Sequence, residues 1–285
     1  MGTTPAEPSS SASSHHLETV VVKHAYDERA IVQHWREGAV AHLRFNHAEQ
    51  RNAIDVQFAA AFSRACQAIA DDPEVRAVWI SGEGRAFMVG GDLASMRGNA
   101  RAVAERLIAG MHGGLRLLAG LRAPVVASVH GAVAGGGLGV MLAADLVVAA
   151  DNTRLSFAYP GIGASCDCGA SWALPRAVGL NKALEIALLG PTLDAAQALQ
   201  IGLVNRVVPE ADLQAETRRL VERLANGPTR AYGRIRQLMR GAFDNELGAQ
   251  LDAENDGFLE CADTKDFAEG VEAFFHKRAP VFTGQ

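Results

Sequence analysis

The sequence predicts an α/β fold with a helical C-terminal region, and three observations indicate it. Short apolar runs that end at glycine-rich turns, such as 125–129, are typical of buried strands. Segments with helical periodicity, such as 101–121, separate these runs. From about residue 169 onward, almost every segment has the helical period. Strands that alternate with helices indicate a parallel sheet joined by crossover connections.

The elements of the first half follow from local signals. Residues 40–45 alternate with period two, and Asp55 is placed to cap a helix that extends to about residue 70. Two aspartates followed by Pro73 end that helix. The remaining predicted strands are 75–80, 125–129, 146–149 and 155–157, and the remaining predicted helices are 101–121 and 137–144.

The second half is predicted to be almost entirely helical. Asp194 and Gln197 form a variant of the capping box at one helix start, and only the segment 204–208 interrupts the helices. The predicted helices are 170–178, 182–189, 195–201, 213–225, 229–239, 246–261 and 267–275.

Three regions are predicted along the chain. Residues 1–16 are rich in Ser, Thr, Pro and Ala and lack an apolar stretch, which predicts a disordered tail. Residues 17–205 form the predicted α/β core, and residues 206–285 form the helical C-terminal region. No linker and no clear repeat separates these two regions, so we expect one folded unit.

Composition excludes several classes of function. The net charge of -5, from 27 Lys+Arg against 32 Asp+Glu, argues against a nucleic-acid partner. The four cysteines are too few for a disulfide framework, and the spacing of Cys166 and Cys168 is not a usual zinc spacing, so we expect reduced thiols and no metal. No apolar run reaches about 18 residues, and Asp145 breaks the longest candidate, 138–150, so we expect no membrane-spanning helix and no secretory signal. A cytoplasmic protein is therefore predicted.

Two glycine-rich turns and one later carboxylate carry the strongest chemical signal. The turns span 85–93 and 130–139, and the carboxylate is Asp167. Glycines let two chain segments approach closely, and turns that end strands leave backbone N–H groups unpaired. Two such N–H groups could stabilise one developing oxyanion while an acid moves a proton. The alternative is that the glycines only permit tight packing. A dinucleotide-binding motif is not cleanly present, because Val140 occupies the place of its last glycine.

Four segments resemble the crotonase (enoyl-CoA hydratase/isomerase) superfamily, in the order of that family and from about residue 30 to the C-terminus. They are Arg51-Asn52-Ala53-Ile54, the two turns, and Leu174-Pro175-Arg176-Ala177-Val178-Gly179. The resemblance implies a spiral of ββα units, an acyl-CoA thioester as substrate, and no cofactor beyond the CoA that the substrate carries. It also implies a trimer, often stacked as a hexamer, with 206–285 as the trimerisation region.

The same resemblance implies roles for individual residues. The N–H groups of Gly91 and Gly136 would polarise the thioester carbonyl. Asp92 either contacts CoA or braces its own turn. Lys277 either contacts a CoA phosphate bound to a neighbouring subunit or is a solvated surface charge. The residues expected to contact CoA are Arg51, Ala53, Ala86, Gly90, Asp92, Leu93 and Lys277.

The catalytic carboxylate differs from that of the family's hydratases. Their two glutamate positions correspond, by resemblance, to Gly139 and Gly161, so the two-glutamate mechanism cannot operate. The surroundings of Asp167 are similar to the isomerase branch of phenylacetate degradation, although Cys166 stands where that branch has proline. The 4-chlorobenzoyl-CoA dehalogenases also place an aspartate here, as a nucleophile paired with a histidine, for which His112 is the candidate. Asp167 could also simply cap the following helix.

The sequence therefore predicts an enoyl-CoA double-bond isomerase in which Asp167 is the single acid and base. A weak hydratase, a dehalogenase-like hydrolase and a non-catalytic acyl-CoA-binding scaffold stay open as alternatives. The acyl group itself is not predicted.

Overall fold

A computed structural model describes residues 27–285, so the predicted tail at 1–16 lies outside the described residues. Its strands are β1 Val32–Glu37, β2 Val40–Phe45, β3 Ala77–Gly82, β4 Ala86–Met88, β5 Val125–Val129, β6 Ala132–Ala134, β7 Leu146–Ala150, β8 Arg154–Ser156, β9 Thr192–Asp194 and β10 Arg206–Val208. Its helices are α1 Val56–Asp71, α2 Ala100–Gly120, α3 Gly136–Leu142, α4 Ala170–Val178, α5 Leu180–Leu189, α6 Ala195–Gln200, α7 Leu213–Ala225, α8 Thr229–Gly241, α9 Leu247–Ala262 and α10 Lys265–Phe275.

The strands form two sheets, and successive strands alternate between them from β3 to β8. The larger sheet has the order β1-β2-β3-β5-β7-β10, and the smaller one has the order β4-β6-β8-β9. All neighbouring pairs are parallel except β1–β2 and β8–β9. Each of the units β3-β4-α2 and β5-β6-α3 places one strand in each sheet before a helix returns the chain. This repeating ββα spiral, with helices α7 to α10 at the end, confirms the predicted fold class.

The central strands of the larger sheet are buried on both faces. On one face, the ring of Phe45 packs against those of Phe58, Phe62 and Phe87 at centroid distances of 5.4 to 6.2 Å. On the other face, Trp79 belongs to a second apolar cluster that includes residues of α7. Strands buried on both faces are near-continuous apolar runs, which is why they were detectable in the sequence.

Several elements differ from the prediction. Strands β1 and β9 were not predicted, and β4 and β6 lie within the segments interpreted as glycine turns. Strand β1 is a half-exposed edge strand with polar residues, and the other three are only three residues long, too short to show a period. Strand β3 ends at Gly82, two residues later than expected. The capping box of Asp194 and Gln197 is confirmed.

Asp145, which breaks the longest apolar run, anchors α8 to the larger sheet. Its carboxylate accepts a hydrogen bond from the backbone N–H of Val125 at 2.7 Å. It also pairs with Arg236 at 2.7 Å and with Arg240 at 2.9 Å, both on α8. Arg236 is buried and donates to the carbonyl oxygen of Leu121 as well. The C-terminal helices are thereby tied to the point where β5 and β7 meet.

A histidine lies on the face of the sheet that α7 covers. The ring of His42 stacks on Trp35 with centroids 4.5 Å apart, and the ring of Trp79 lies 5.2 Å away. Burial lowers the pKa of His42 from 6.5 to about 4, although the nearby Glu37 carboxylate acts in the opposite direction. The folded protein therefore holds this imidazole neutral at neutral pH.

Replacing Asp145 by Ala should destabilise the fold by about 3–5 kcal/mol, because it leaves the buried Arg236 guanidinium without its carboxylate. Urea unfolding followed by circular dichroism measures the change. The exposed pair of Arg101 and Glu105 is the control, and Glu105→Ala should cost no more than about 0.5 kcal/mol. Equal losses in the two variants would contradict the anchoring role.

The free energy of unfolding should fall by up to about 3 kcal/mol between pH 7 and pH 4 through His42 alone. In this range the unfolded chain takes up a proton at this imidazole and the folded chain does not. Urea unfolding at a series of pH values measures the slope. The slope should be shallower in His42→Gln and unchanged in His276→Gln, which removes an exposed histidine. Identical slopes in all three proteins would refute the assignment.

Candidate active site

The buried side chain of Asn52 fixes the chain segment in front of the first glycine turn. It accepts a hydrogen bond from the N–H of His47 at 2.8 Å. It donates to the carbonyl oxygens of Ala86 at 2.9 Å and Phe87 at 3.0 Å, on β4. Its φ of 56° lies in the left-handed region, which asparagine tolerates better than most residues. The sequence interpretation gave Asn52 no role of its own, although an asparagine inside a turn was the available signal.

The next residue but one, Ile54, aligns the first glycine turn. Its N–H donates to the carbonyl oxygen of Gly90 at 2.7 Å, and its carbonyl oxygen accepts from the N–H of Asp92 at 2.9 Å. Ile54 and Gly91 thus form an isolated parallel bridge. In such a bridge the N–H of the residue between the two bonds points away from its partner. Within residues 27–285, the N–H of Gly91 donates no hydrogen bond.

The second glycine turn meets the first one directly. It connects β6 to α3 through Gly135, whose φ of 52° is left-handed. Gly90, with a φ of 88°, lies so close that a Cβ added there would be 3.1 Å from the carbonyl oxygen of Ala134 and 3.3 Å from the nitrogen of Gly136. In the described part of the chain, the N–H of Gly136 also donates no hydrogen bond. Two unpaired donors, on Gly91 and Gly136, therefore lie at one place, an arrangement that can stabilise an oxyanion.

Asp167 lies beside these donors, in the loop that precedes α4. Its Oδ1 is 3.6 Å from the position that a Cβ on Gly136 would occupy. The hydroxyl of Tyr159 donates to the same oxygen at 2.6 Å. Helix α4 begins at Ala170 with Gly169 as its N-cap and no side-chain cap. The alternative that the side chain of Asp167 caps this helix is therefore wrong. Cys168 and Gly169, which both have left-handed backbone angles, turn the chain between Asp167 and the start of α4.

The groups around Asp167 are neutral donors. Burial and the adjacent carboxylate raise the pKa of Tyr159 far above its ordinary value, and the same two causes raise the pKa of the Cys168 thiol. Among the described residues, no ion pair involves Asp167. The negative charge of Asp167 thus meets hydrogen-bond donors and not cations. A buried thiol that stays protonated is a poor nucleophile, so Cys168 does not compete with Asp167 for chemistry.

The two positions that lack a hydratase glutamate have different surroundings. A Cβ on Gly139 would lie 2.5 Å from the carbonyl oxygen of Cys168 and 2.7 Å from its Cβ, so this backbone leaves no room for any side chain. Gly161 is exposed, and an added Cβ would meet no atom within 4 Å. The side chain that reaches Asp167 comes from Tyr159, two residues before Gly161. The sequence analysis gave Tyr159 no role and so missed this contact.

His112 lies behind the Asp167 loop. From α2, its Nε2 accepts a hydrogen bond from the N–H of Cys168 at 3.1 Å. That bond occupies the lone pair that a general base would need. It also ties the loop to α2, so the histidine supports the position of Asp167.

The residues expected to contact CoA fall into two groups. Through Ile54, the structure brings the segment of Arg51 and Ala53 next to Gly90, Asp92 and Leu93. The carboxylate of Asp92 accepts from the N–H of Ala94 at 3.0 Å and so braces its own turn.

The second group, Ala86 and Lys277, is not part of this bridge. Ala86 is buried in β4, while Lys277 follows α10 and is exposed. Among the described residues, no hydrogen bond or ion pair connects Lys277 to the glycine turns. Residues 27–285 contain no cluster of three or more His, Cys, Asp or Glu side chains suited to a metal ion, and none of their helices is long and apolar enough to cross a membrane.

Comparisons with known proteins agree with this geometry. Residues 36–285 match the family model described as enoyl-CoA hydratase/isomerase. The chain is 34% identical to 1,2-epoxyphenylacetyl-CoA isomerase of Escherichia coli (strain K12), over 90% of this chain and 98% of that protein. It is 32% identical to 4-chlorobenzoyl coenzyme A dehalogenase-2 of Arthrobacter sp, over 88% of this chain and 92% of that protein.

A solved structure has the same fold. The enoyl-CoA hydratase from Polaromonas sp. JS666 superimposes with a TM-score of 0.83 at 34% identity, over 88% of this chain and 99% of that one. The resemblance to the crotonase superfamily is thereby confirmed, while the three related proteins carry the names of three different activities. The chain belongs to the enoyl-CoA hydratase/isomerase family of the crotonase superfamily and is an acyl-CoA enzyme of that family.

Proposed function

We propose that the protein is an enoyl-CoA double-bond isomerase that uses Asp167 as its only acid and base. The observation that carries this proposal is the position of the Asp167 carboxylate beside two unpaired backbone donors, with no side chain possible at Gly139. The thioester carbonyl oxygen of the substrate would accept hydrogen bonds from Gly91 and Gly136. Each such donor typically contributes about 2.7–4 kcal/mol to the stability of the transition state.

The reaction needs one proton to leave and one to return. Asp167 removes a proton from the α or the γ carbon of the acyl chain, and the electrons of that C–H bond move toward the carbonyl oxygen. The resulting dienolate is held by the two donors. Asp167 then returns a proton to the other of these two carbons, which moves the double bond. Such acid–base help contributes roughly 10²–10⁴-fold to the rate. No oxidation occurs, so we propose that no cofactor is required.

The alternatives are less well supported. Hydration needs a second group to activate water, and the backbone of Cys168 fills the space beside Gly139. A dehalogenase-like hydrolysis needs a histidine to activate water, but Nε2 of His112 is bonded to the N–H of Cys168. A non-catalytic scaffold would have no use for two unpaired donors next to a carboxylate.

The CoA moiety and the assembly are also part of this proposal. We propose that CoA lies along the exposed Arg51 and Leu93 and the half-buried Asp92, over Ala53, Ala86 and Gly90, with Lys277 of a neighbouring copy near its phosphates. We propose a homotrimer or hexamer acting in the cytoplasm without nucleic-acid or membrane partners. Large apolar side chains on α5 and α10 support the assembly, since Leu189 is 78% exposed and Phe274 is 79% exposed in the single chain.

The assay is isomerisation of a 3-enoyl-CoA in deuterated water. The wild type should move the double bond and incorporate deuterium. Asp167→Asn should reduce kcat by about 10²–10⁴-fold, because the amide cannot accept the proton. Asp71→Asn is the control, since Asp71 is an exposed carboxylate at the end of α1.

The outcome of this assay distinguishes the isomerase from the alternative functions. Unchanged turnover in Asp167→Asn would exclude Asp167 as the catalyst. Hydration products in place of isomers would favour the hydratase. Tight CoA binding with no turnover of any enoyl-CoA would favour the scaffold.

A further inference from the structure

Tyr159 carries a hydroxyl that the packing of its ring does not explain. It follows β8 in a short helical turn, after Ala158, whose φ of 58° is left-handed. Its ring packs edge-on against Phe157 with centroids 5.0 Å apart and is buried. A phenylalanine would satisfy this packing equally well. The hydroxyl must therefore be explained by what it contacts.

The hydroxyl has one acceptor group, Asp167. It donates to Oδ1 at 2.6 Å and lies 3.5 Å from the carbonyl oxygen of the same residue. A hydrogen bond to a charged acceptor is short and roughly twice as strong as a neutral one. Burial and the neighbouring carboxylate keep the phenol protonated, because both raise the pKa of Tyr159. The phenol thus serves as a permanent donor and is not available as a base.

This bond distinguishes the two oxygens of the carboxylate. Oδ1 faces Gly136 and is held by the phenol, while Oδ2 is not tied to it. The other titratable groups packed around the carboxylate are the thiol of Cys168 and, behind the loop, the imidazole of His112. Neither replaces the phenol, since a thiol is a weak donor and Nε2 of the imidazole is an acceptor in its bond to Cys168.

We propose that Tyr159 is a positioning residue that locks the Asp167 carboxylate beside Gly136 by holding Oδ1, so that the carboxylate that removes and returns the proton stays in one orientation. This inference rests on the proposed isomerase function. In single-acid isomerisation the same carboxylate removes a proton from one carbon atom and then protonates another. A freely rotating carboxylate would spend much of its time in orientations from which it reaches neither carbon. Small errors in the placement of a reacting group are costly in rate.

The test is Tyr159→Phe, which removes only the hydroxyl. We expect kcat to fall about 10- to 100-fold, corresponding to the loss of one hydrogen bond to a charged group, with KM within about twofold of the wild type. The acidic limb of the pH profile of kcat should move to higher pH, because the carboxylate loses a donor that favours its charged form. A residue that only fills space would leave this limb in place.

Two controls separate positioning from folding and from the proposed function. Tyr232→Phe, on α8 and remote from Asp167, should keep both kcat and the pH profile. In the Asp167→Asn background, Tyr159→Phe should cause no further loss, because Tyr159 acts through Asp167. Thermal unfolding of each variant checks that the fold is retained.

A second measurement covers the case in which Tyr159→Phe does not fold. The chain has three tyrosines, so Tyr26→Phe and Tyr232→Phe leave Tyr159 alone for replacement by 3-fluorotyrosine. The more acidic phenol is a stronger donor, and the acidic limb should move to lower pH.

The outcomes distinguish this inference from the function on which it rests. Wild-type kcat and pH profile in Tyr159→Phe, together with an inactive Asp167→Asn, would overturn the role of Tyr159 and leave the isomerase proposal intact. A further loss of rate in the double variant would also overturn it. Full activity of Asp167→Asn would instead overturn the function itself.

Discussion

The approach of two glycine turns to van der Waals contact is the constraint on which the rest of the site depends. Gly90 and Gly135 have no side chains and adopt left-handed backbone angles, so the turns can lie against each other. Asn52 and Ile54 hold the first turn from one side, and β6 delivers the second from the other. The result is that the unpaired N–H groups of Gly91 and Gly136 lie close together. Such donors need no reorganisation when charge develops, because the fold has already fixed them.

The same close packing determines which side chains can lie beside the donors. Along α3, Gly136 and Gly139 lie one turn apart and face the loop that carries Asp167. The backbone of Cys168 rests against Gly139, which seats Asp167 near the donors and removes the space for a side chain at 139. The contact between Gly139 and Cys168 therefore has two consequences: it positions the carboxylate of Asp167, and it excludes a carboxylate at position 139. The structure thus places one carboxylate, Asp167, beside the donors and leaves no room for a second at position 139.

Local signals in the sequence predicted the fold class, most helices and the glycine turns, because each depends on neighbouring residues. The role of Tyr159 was not predictable in this way, since its contact with Asp167 depends on the backbone turns at Ala158 and Cys168. The same holds for Asn52, whose partners are on β4. The alternative of Asp167 as a helix cap had a sound local basis and failed because the chain turns before α4. The positions of these three side chains thus depend on tertiary contacts, which local capping preferences do not predict.

The central claim is that the Gly91 and Gly136 donors polarise the thioester carbonyl of a bound acyl-CoA. Isotope-edited infrared spectroscopy measures this directly, with an enoyl-CoA carrying ¹³C at the thioester carbonyl and the Asp167→Asn variant to prevent turnover. The account predicts that the carbonyl stretch of the bound ligand lies at lower frequency than that of the ligand in water. A saturated complex whose carbonyl stretch equals that in water would contradict it.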